Sequence, residues 1–534
     1  MERISRQWRQ DKLRCALVVC WLLTVTASFF NSYLFPIQLP GIGTWYAFRT
    51  FLPLTAVLYI IYAIRTKTCF WTDSTTLEKW CYVFIAVMVL YGAASLPRAL
   101  DVSWTFRRLF NLCFDLCFFF LMLRLCRQKD IRKLTLAVCF VMWVVVMLLG
   151  IYEIFNGGIV DPAYNGANCQ DFTWFLSRFQ YPVVFFGNTN DYALLLTFFY
   201  AVFLLIAWRE PRIPQWVTVV LTTATYFLLL ATSSRLSIYA FFILLAAQIL
   251  CALFRHSKAA RRTAAGMLLC VCCIQFCNQY RYIIPPLQTY VQQKAEYTQA
   301  IREAEKKAGQ EKEQPEAETP VEQPRPSTEP EAGGQEKEQP EAETPIEQPE
   351  LQLGDPQKET LNEQFFETDA ATGEKVLREE GSAGVRSHLL LFAFHCISQS
   401  HGLGVGLGNT ETMAARQAVV PQWADKPQNS IHCFIARIIA DYGIFALLPL
   451  CAIAFLLLKR IFMSLAAAWR QKDGQAAAEA LVFFAVLLTY PIVSTVSSDA
   501  QDNIPMWIYL ALVVLYAVQE IESGEQLLTE EAHA

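Results

Sequence analysis

LTLAVCFVMWVVVMLLGIYEIF, Leu134 to Phe155, carries a single charge, Glu153, near its end. A helix of that length crosses the roughly 30 Å hydrocarbon core of a bilayer, because each residue rises about 1.5 Å. The chain offers about twelve such runs: 15-35, 44-64, 80-97, 109-124, 134-155, 190-208, 214-232, 236-254, 263-284, 431-457, 479-498 and 504-520. A composition of 54% apolar and 17% charged residues is too greasy for a soluble protein of 534 residues. The expected fold is therefore all-α and polytopic, with about 12 transmembrane helices.

Basic residues set the expected orientation. The amino end holds Arg3, Arg6, Arg9, Lys12 and Arg14. RLCRQKDIRK (Arg124 to Lys133), RHSKAARR (Arg255 to Arg262) and Lys459 to Lys472 then fall on the same side of an alternating bundle. This predicts a multi-pass protein of the cell membrane with both termini cytoplasmic. No small-residue cleavage pattern follows the first run, and PIQLPG leads into a second, so the first helix is expected to stay uncleaved. Most of the seventeen cysteines lie within expected spans, where they read as small apolar packers rather than as a disulfide or zinc framework.

Three regions follow: a membrane domain over 1-284 with helices 1-9, an external loop over 285-430, and helices 10-12 with a cytoplasmic tail over 431-534. Inside the loop, GQEKEQPEAETPVEQP (Gly309 to Pro324) returns as GQEKEQPEAETPIEQP (Gly334 to Pro349). Glu, Pro and Gln offer little to bury, so about 296-380 is expected to be disordered. That insert has 24 Asp and Glu against nine Lys and Arg, a net of −15; with −4 for the whole chain, the remainder carries about +11. An extracellular spacer and an expanded repeat without a specific role both fit it.

Beyond the insert, GVRSHLLLFAFHCISQSHGLGVGLGNTE (Gly384 to Glu411) places apolar residues at helical spacing. An amphipathic helix of about 386-399, lying on the outer membrane face, is expected. Four glycines at alternate positions end it in HGLGVGLGN. A phosphate cradle needs a strand before and a helix after such a loop, so a tight turn back to the membrane is the favoured reading. Elsewhere Asn188, Asn190 and Asp191 sit where capping residues belong, and Arg235 stands at a nearly loopless hinge, where snorkelling to the surface is the simple alternative. His432, Arg437 and Asp441 enter the tenth span, with Arg437 and Asp441 at ion-pair spacing.

This order of features resembles the O-antigen ligase and polymerase family of bacterial membrane glycosyltransferases. The resemblance runs through GNTND, SSRLS with Arg235, GVRSHLL with Arg386, HGLGVGLGN, and HCFIARIIADYG, in which His432 stands eleven residues before Gly443. Two positions depart from the family pattern: its usual His-Asn is His432-Cys433 here, with Asn429 nearby, and the Gly that often follows its first Arg is Leu236.

The resemblance implies transfer of a glycan from a polyprenyl-diphosphate carrier to an acceptor hydroxyl, on a saccharide or lipid-glycan acceptor, at the outer face. Arg235 and Arg386 would bind the diphosphate, since a guanidinium stays protonated and matches phosphate bidentately. His432 would be the general base, because a histidine titrates near neutrality. Arg437 and Asp441 are left as supporting residues. The reaction would invert the anomeric centre, and no metal, cofactor or nucleic acid is expected. A repeat-unit polymerase of the same family is the near alternative, and a lipid-linked sugar transporter the distant one.

Overall fold

The computed structural model describes residues 11–39, 43–156, 159, 181–186, 188–209, 213–254, 257–279, 366–368, 375–377, 382–417, 419–420, 430–495 and 503–533. Helices dominate. Nine of them, among the described residues, are long and apolar enough to cross a membrane. In chain order the first half is α1 (Lys12–Ser28), a small β1 (Ile37–Leu39) and β2 (Gly43–Trp45) hairpin, α2 (Ala47–Thr66), α3 (Thr76–Ser95), α4 (Val102–Leu125) and α5 (Lys129–Asn156). Next come α6 (Thr189–Arg209), α7 (Gln215–Thr232), α8 (Arg235–Phe254) and α9 (Lys258–Gln279). After the hairpin β3 (Phe366–Thr368) and β4 (Lys375–Leu377) come α10 (Ser382–Gln399), α11 (Asn409–Arg416), α12 (Phe434–Tyr442), α13 (Ile444–Gln471), α14 (Gly474–Val493) and α15 (Ile504–His533).

The protein is an all-α multi-pass membrane protein. Its backbone reason is that only helices or closed barrels satisfy every N–H and C=O in hydrocarbon. Side chains agree: Ile64, Leu90, Leu148, Phe455 and Phe462 all stand more than half exposed on the outside of the bundle, a pattern that water would punish and lipid rewards. α6 is the axis. Every side chain from Tyr192 to Leu205 is buried, and α6 packs against α5, α7, α8, α14 and α15. Phe198 stacks on Tyr509 at 4.1 Å between ring centroids, joining α6 to α15.

Helix ends are written locally. Thr75 and Glu78 make a reciprocal capping box at the start of α3, Asp101 accepts from Trp104 N at the start of α4, and Asp473 accepts from two amides at the start of α14. Each satisfies backbone donors that a helix leaves orphaned. Asn188 and Asp191 cap α6 in the same way: Asp191 N donates to Asn188 Oδ1 at 2.9 Å, and Asn188 Nδ2 to Asp191 Oδ2 at 2.7 Å.

Each expected span finds a helix, with one correction. The run 431-457 is broken rather than continuous: α12 stops at Tyr442 and α13 starts at Ile444. The break is Gly443, with φ 60° and ψ −147°, a conformation only glycine adopts without strain. The external helix also starts earlier than expected, at Ser382.

The chain divides into two units, Met1–Asn278 with Glu379–Ala534, and Gln279–Arg378. In the second, the β3–β4 hairpin pairs Phe366 with Leu377 and Thr368 with Lys375. The rest of the interval 296-380, with the acidic repeat, lies outside the described residues, as does Asn429.

Candidate functional site

The α3–α4 turn and the Gly443 break share one end of the bundle, where Gly92 of α3 lies against Leu407 and Tyr442 and Gly408 against Trp104 of α4. The other end of α8 meets the start of α14, where Cys251 Sγ donates to Ala478 O, which puts the α7–α8 hinge at the strap end as well. At this end α10 packs on α11 and α12. α10 buries Val385, Leu389, Phe392, Ala393 and Cys396 on one stripe while leaving Leu391 and Phe394 exposed. It closes where Gly402 N donates to Ile397 O at 2.8 Å, with positive φ at His401 and Gly402. This is a Schellman-type stop.

The glycine turn that follows is a structural strap. Gly402, Gly404, Gly406 and Gly408 all have positive φ, 75° to 102°. Every amide from Gly402 to Asn409 has a protein acceptor. Leu403 N reaches Ser400 O, Gly404 N reaches Ser400 Oγ, Val405 N reaches Ala440 O at 2.9 Å, and Gly406 N reaches Asp441 O at 2.9 Å. Leu407 N donates to Ser95 Oγ, Gly408 N to Asp441 Oδ2, and Asn409 N to Gly406 O. No N–H is left to cradle a phosphate, which settles that reading of the loop against it. The strap instead grips the α12–α13 break: Ile444 N donates to Gly402 O at 2.8 Å, and a Cβ on Gly404 would lie 2.6 Å from Gly443 N. Tyr91 Oη ties it to α3 by donating to Leu403 O at 2.7 Å.

Beneath the strap lies a buried charge network that sequence reasoning missed in part. Glu411 Oε2 accepts from Trp104 Nε1 at 3.0 Å and from Arg108 Nε at 3.1 Å. Its Oε1 accepts from Arg108 NH2 at 2.5 Å and pairs with Arg437 NH2 at 3.2 Å. Arg437 Nε lies 3.7 Å from Asp441 Oδ2, the expected pair, and Thr410 Oγ1 donates to Asp441 Oδ1 at 2.5 Å. Arg108, Glu411, Arg437 and Asp441 are all at most 3% exposed. Burial pushes the Asp441 carboxyl up to about 6 against the opposing pull of Arg437, since taking a charge out of water disfavours the ionised form. Arg108 belongs to an Arg-Arg pair in an apolar helix, a signal that a charge within a span has a partner. Glu411 could not be matched to it across 303 residues of sequence.

The residues singled out beforehand separate into two places. His432, half-buried, stands just before α12, and Arg386, half-buried, lies on α10, so the packing of α10 on α12 brings their two elements together. Arg235, exposed, opens α8 after Ser233 in the left-handed conformation closes α7, and α8 packs on α14, α6 and α7 rather than on α10. Neither Arg235 nor Arg386 has a carboxylate partner among the described residues. Burial draws the Arg386 guanidinium below its ordinary pKa. No group of three or more His, Cys, Asp or Glu side chains suited to a metal ion occurs among the described residues.

Fold and site together define a polytopic membrane protein with an ordered, cation-bearing cap at one end of its bundle. No protein-family profile matches the chain. It is similar to the teichuronic acid biosynthesis protein TuaE of Bacillus subtilis (strain 168), 25% identical over 235 residues. That match covers 43% of this chain and 46% of the relative, so the similarity spans less than half the length of either.

Proposed function

We propose that the protein is a glycosyltransferase of surface-glycan biosynthesis, moving a glycan from a polyprenyl-diphosphate carrier to an acceptor hydroxyl at the outer face of the cell membrane, as an O-antigen ligase does. The observation that carries this reading is Arg386, a partly desolvated guanidinium without a carboxylate partner among the described residues, on the helix that packs against the one His432 introduces. A cation held that way is prepared for an anion that arrives with the substrate. The relative's printed role in teichuronic acid biosynthesis supports a place in the assembly of a cell-envelope polymer. In this reading both termini are cytoplasmic and the strap end faces outward.

The chemistry assigned to these residues is a single displacement. His432 takes the acceptor's hydroxyl proton as the oxygen bonds to the anomeric carbon. The bond from that carbon to the diphosphate oxygen breaks, its electron pair leaves on the diphosphate, and the centre inverts. Arg386 stabilises the charge developing there, a type of electrostatic help worth about 10²- to 10³-fold when one donor is removed. Arg235, at the same end of the bundle, serves a more distant part of the anion. A base contributes about 10²- to 10⁴-fold.

The test is reconstitution of the full chain in vesicles with a polyprenyl-diphosphate oligosaccharide, candidate acceptors and EDTA. Product from wild type, a fall of about 100-fold or more in His432→Ala and Arg386→Ala, and only partial recovery in Arg386→Lys are expected. A single transferred chain means ligase, and a ladder means polymerase. Donor movement across the vesicle with no product from any acceptor would replace the enzyme by a transporter.

A further inference from the structure

The two arginines of the buried network are spoken for, and the residue that claims both is Glu411. Its two carboxylate oxygens meet Trp104 and Arg108 from α4 on one side and Arg437 from α12 on the other. α4 is part of the bundle, and α12 is the short helix that begins just after His432. Besides its packing on α10 and the hydrogen bonds that the Asp441 carboxylate accepts from Gly408 N and Thr410 Oγ1, two ties hold α12. At its C-terminal end the strap grips the carbonyls of Ala440 and Asp441. At its middle the only carboxylate from another helix that pairs with it, among the described residues, is Glu411.

We infer that Glu411 is a positioning residue, a carboxylate clasp that sets the height of α12, and therefore of His432, over the membrane bundle. The inference rests on the proposed function for what His432 does, while the clasp itself is a matter of geometry. A buried carboxylate that accepts three hydrogen bonds, one from an indole N–H and two from Arg108, and lies 3.2 Å from a second guanidinium is committed to its own chain rather than to substrate. The same pairing withholds Arg108 and Arg437 from an anionic donor, so the diphosphate meets Arg386 rather than the deeper pair. A single carboxylate thus sorts the arginines into those that hold and those that bind.

Positioning has a kinetic signature that bare stability lacks. A displacement of about 1 Å at a reacting group costs on the order of 100-fold in rate while leaving substrate binding intact. Glu411→Gln keeps the shape and removes the charge. Glu411→Asp keeps the charge and withdraws it by one methylene, so it decides the matter if the Gln variant does not fold. Full-length protein in nanodiscs is assayed with a polyprenyl-diphosphate oligosaccharide, and amide hydrogen exchange is followed over 432-442 against the α6 core.

For the folded variants, turnover lower by about tenfold or more with the donor KM not raised, and exchange over 432-442 faster by about tenfold with α6 unchanged, are expected. Wild-type turnover and wild-type exchange in Glu411→Asp would overturn the inference. So would exchange accelerated equally in α6, which means a general loss of stability. Should wild type make no product, the proposed function fails by itself. Exchange then decides alone: local loosening of 432-442 sustains the clasp, and unchanged exchange removes it.

Discussion

Arg108 and Arg437 lie in the floor under the glycine strap; Arg386, on α10 beside it, and Arg235, apart from it at the start of α8, make an outer pair, the rim, and the four side chains lead different lives. The floor pair is at most 3% exposed and neutralised by Glu411 and Asp441. The rim pair is exposed or half-buried and has no carboxylate partner among the described residues. Burying a charge is expensive unless an opposite charge and hydrogen bonds compensate. A cation kept near water costs little, and remains available. The difference teaches that arginine count at the mouth of a membrane protein says nothing about ligand binding until each guanidinium's counter-ion is found.

The sharpest way to break that comparison is to remove one arginine from each class. Arg108→Ala leaves Glu411 buried with two of its three hydrogen bonds gone, and breaking a buried pair in this way costs about 3 to 5 kcal/mol. Arg235→Ala sits at the surface, where substitutions stay within about 0.5 kcal/mol. Thermal unfolding in detergent should therefore show a large loss of melting temperature for Arg108→Ala and almost none for Arg235→Ala. Comparable losses in the two variants would erase the distinction between floor and rim.

The same distinction marks what the sequence could reveal. Spans were legible because apolar runs such as Leu134 to Phe155 answer to one solvent and one length. The cap made by Asn188 and Asp191 answers to neighbours three residues apart. Arg437 and Asp441 were readable as a pair from helical spacing alone. The Arg108–Glu411 pair and the strap's grip on Gly443 were not, because each joins segments far apart in the chain, and a glycine's positive φ is visible only once the backbone it must approach is in place. Arg386 and His432 could be named by resemblance, but that their helices pack together is a tertiary fact.

Within the strap the glycines themselves provide a smaller test. Gly404 has φ 89°, and a Cβ would lie 2.5 Å from Asp441 O; Gly402 has φ 77°, with nothing within 4 Å of its would-be Cβ. Gly402→Ala meets only the left-handed penalty, about 1 to 2 kcal/mol. Gly404→Ala adds a backbone collision that the Val405 and Gly406 hydrogen bonds prevent from relaxing. Unfolding measurements should rank Gly404→Ala well below Gly402→Ala in stability. Equal losses would mean that the strap is held less tightly against the α12–α13 break than these contacts require.

The finest difference is one of pH. Burial raises the Asp441 carboxyl from 3.8 to about 6. A carboxyl whose pKa is higher folded than unfolded binds its proton more tightly in the fold. Its contribution to stability is therefore fully present below about pH 4 and is lost as pH rises through about 6. Asp441→Asn removes the titrating group and with it the slope. Melting temperatures of wild type and Asp441→Asn between pH 4 and 8 separate the two: the wild type should lose ground relative to the variant as pH rises, and parallel curves would mean that Arg437 and Thr410 hold Asp441 ionised, so that the floor is a fixed set of charges rather than one with a proton to give.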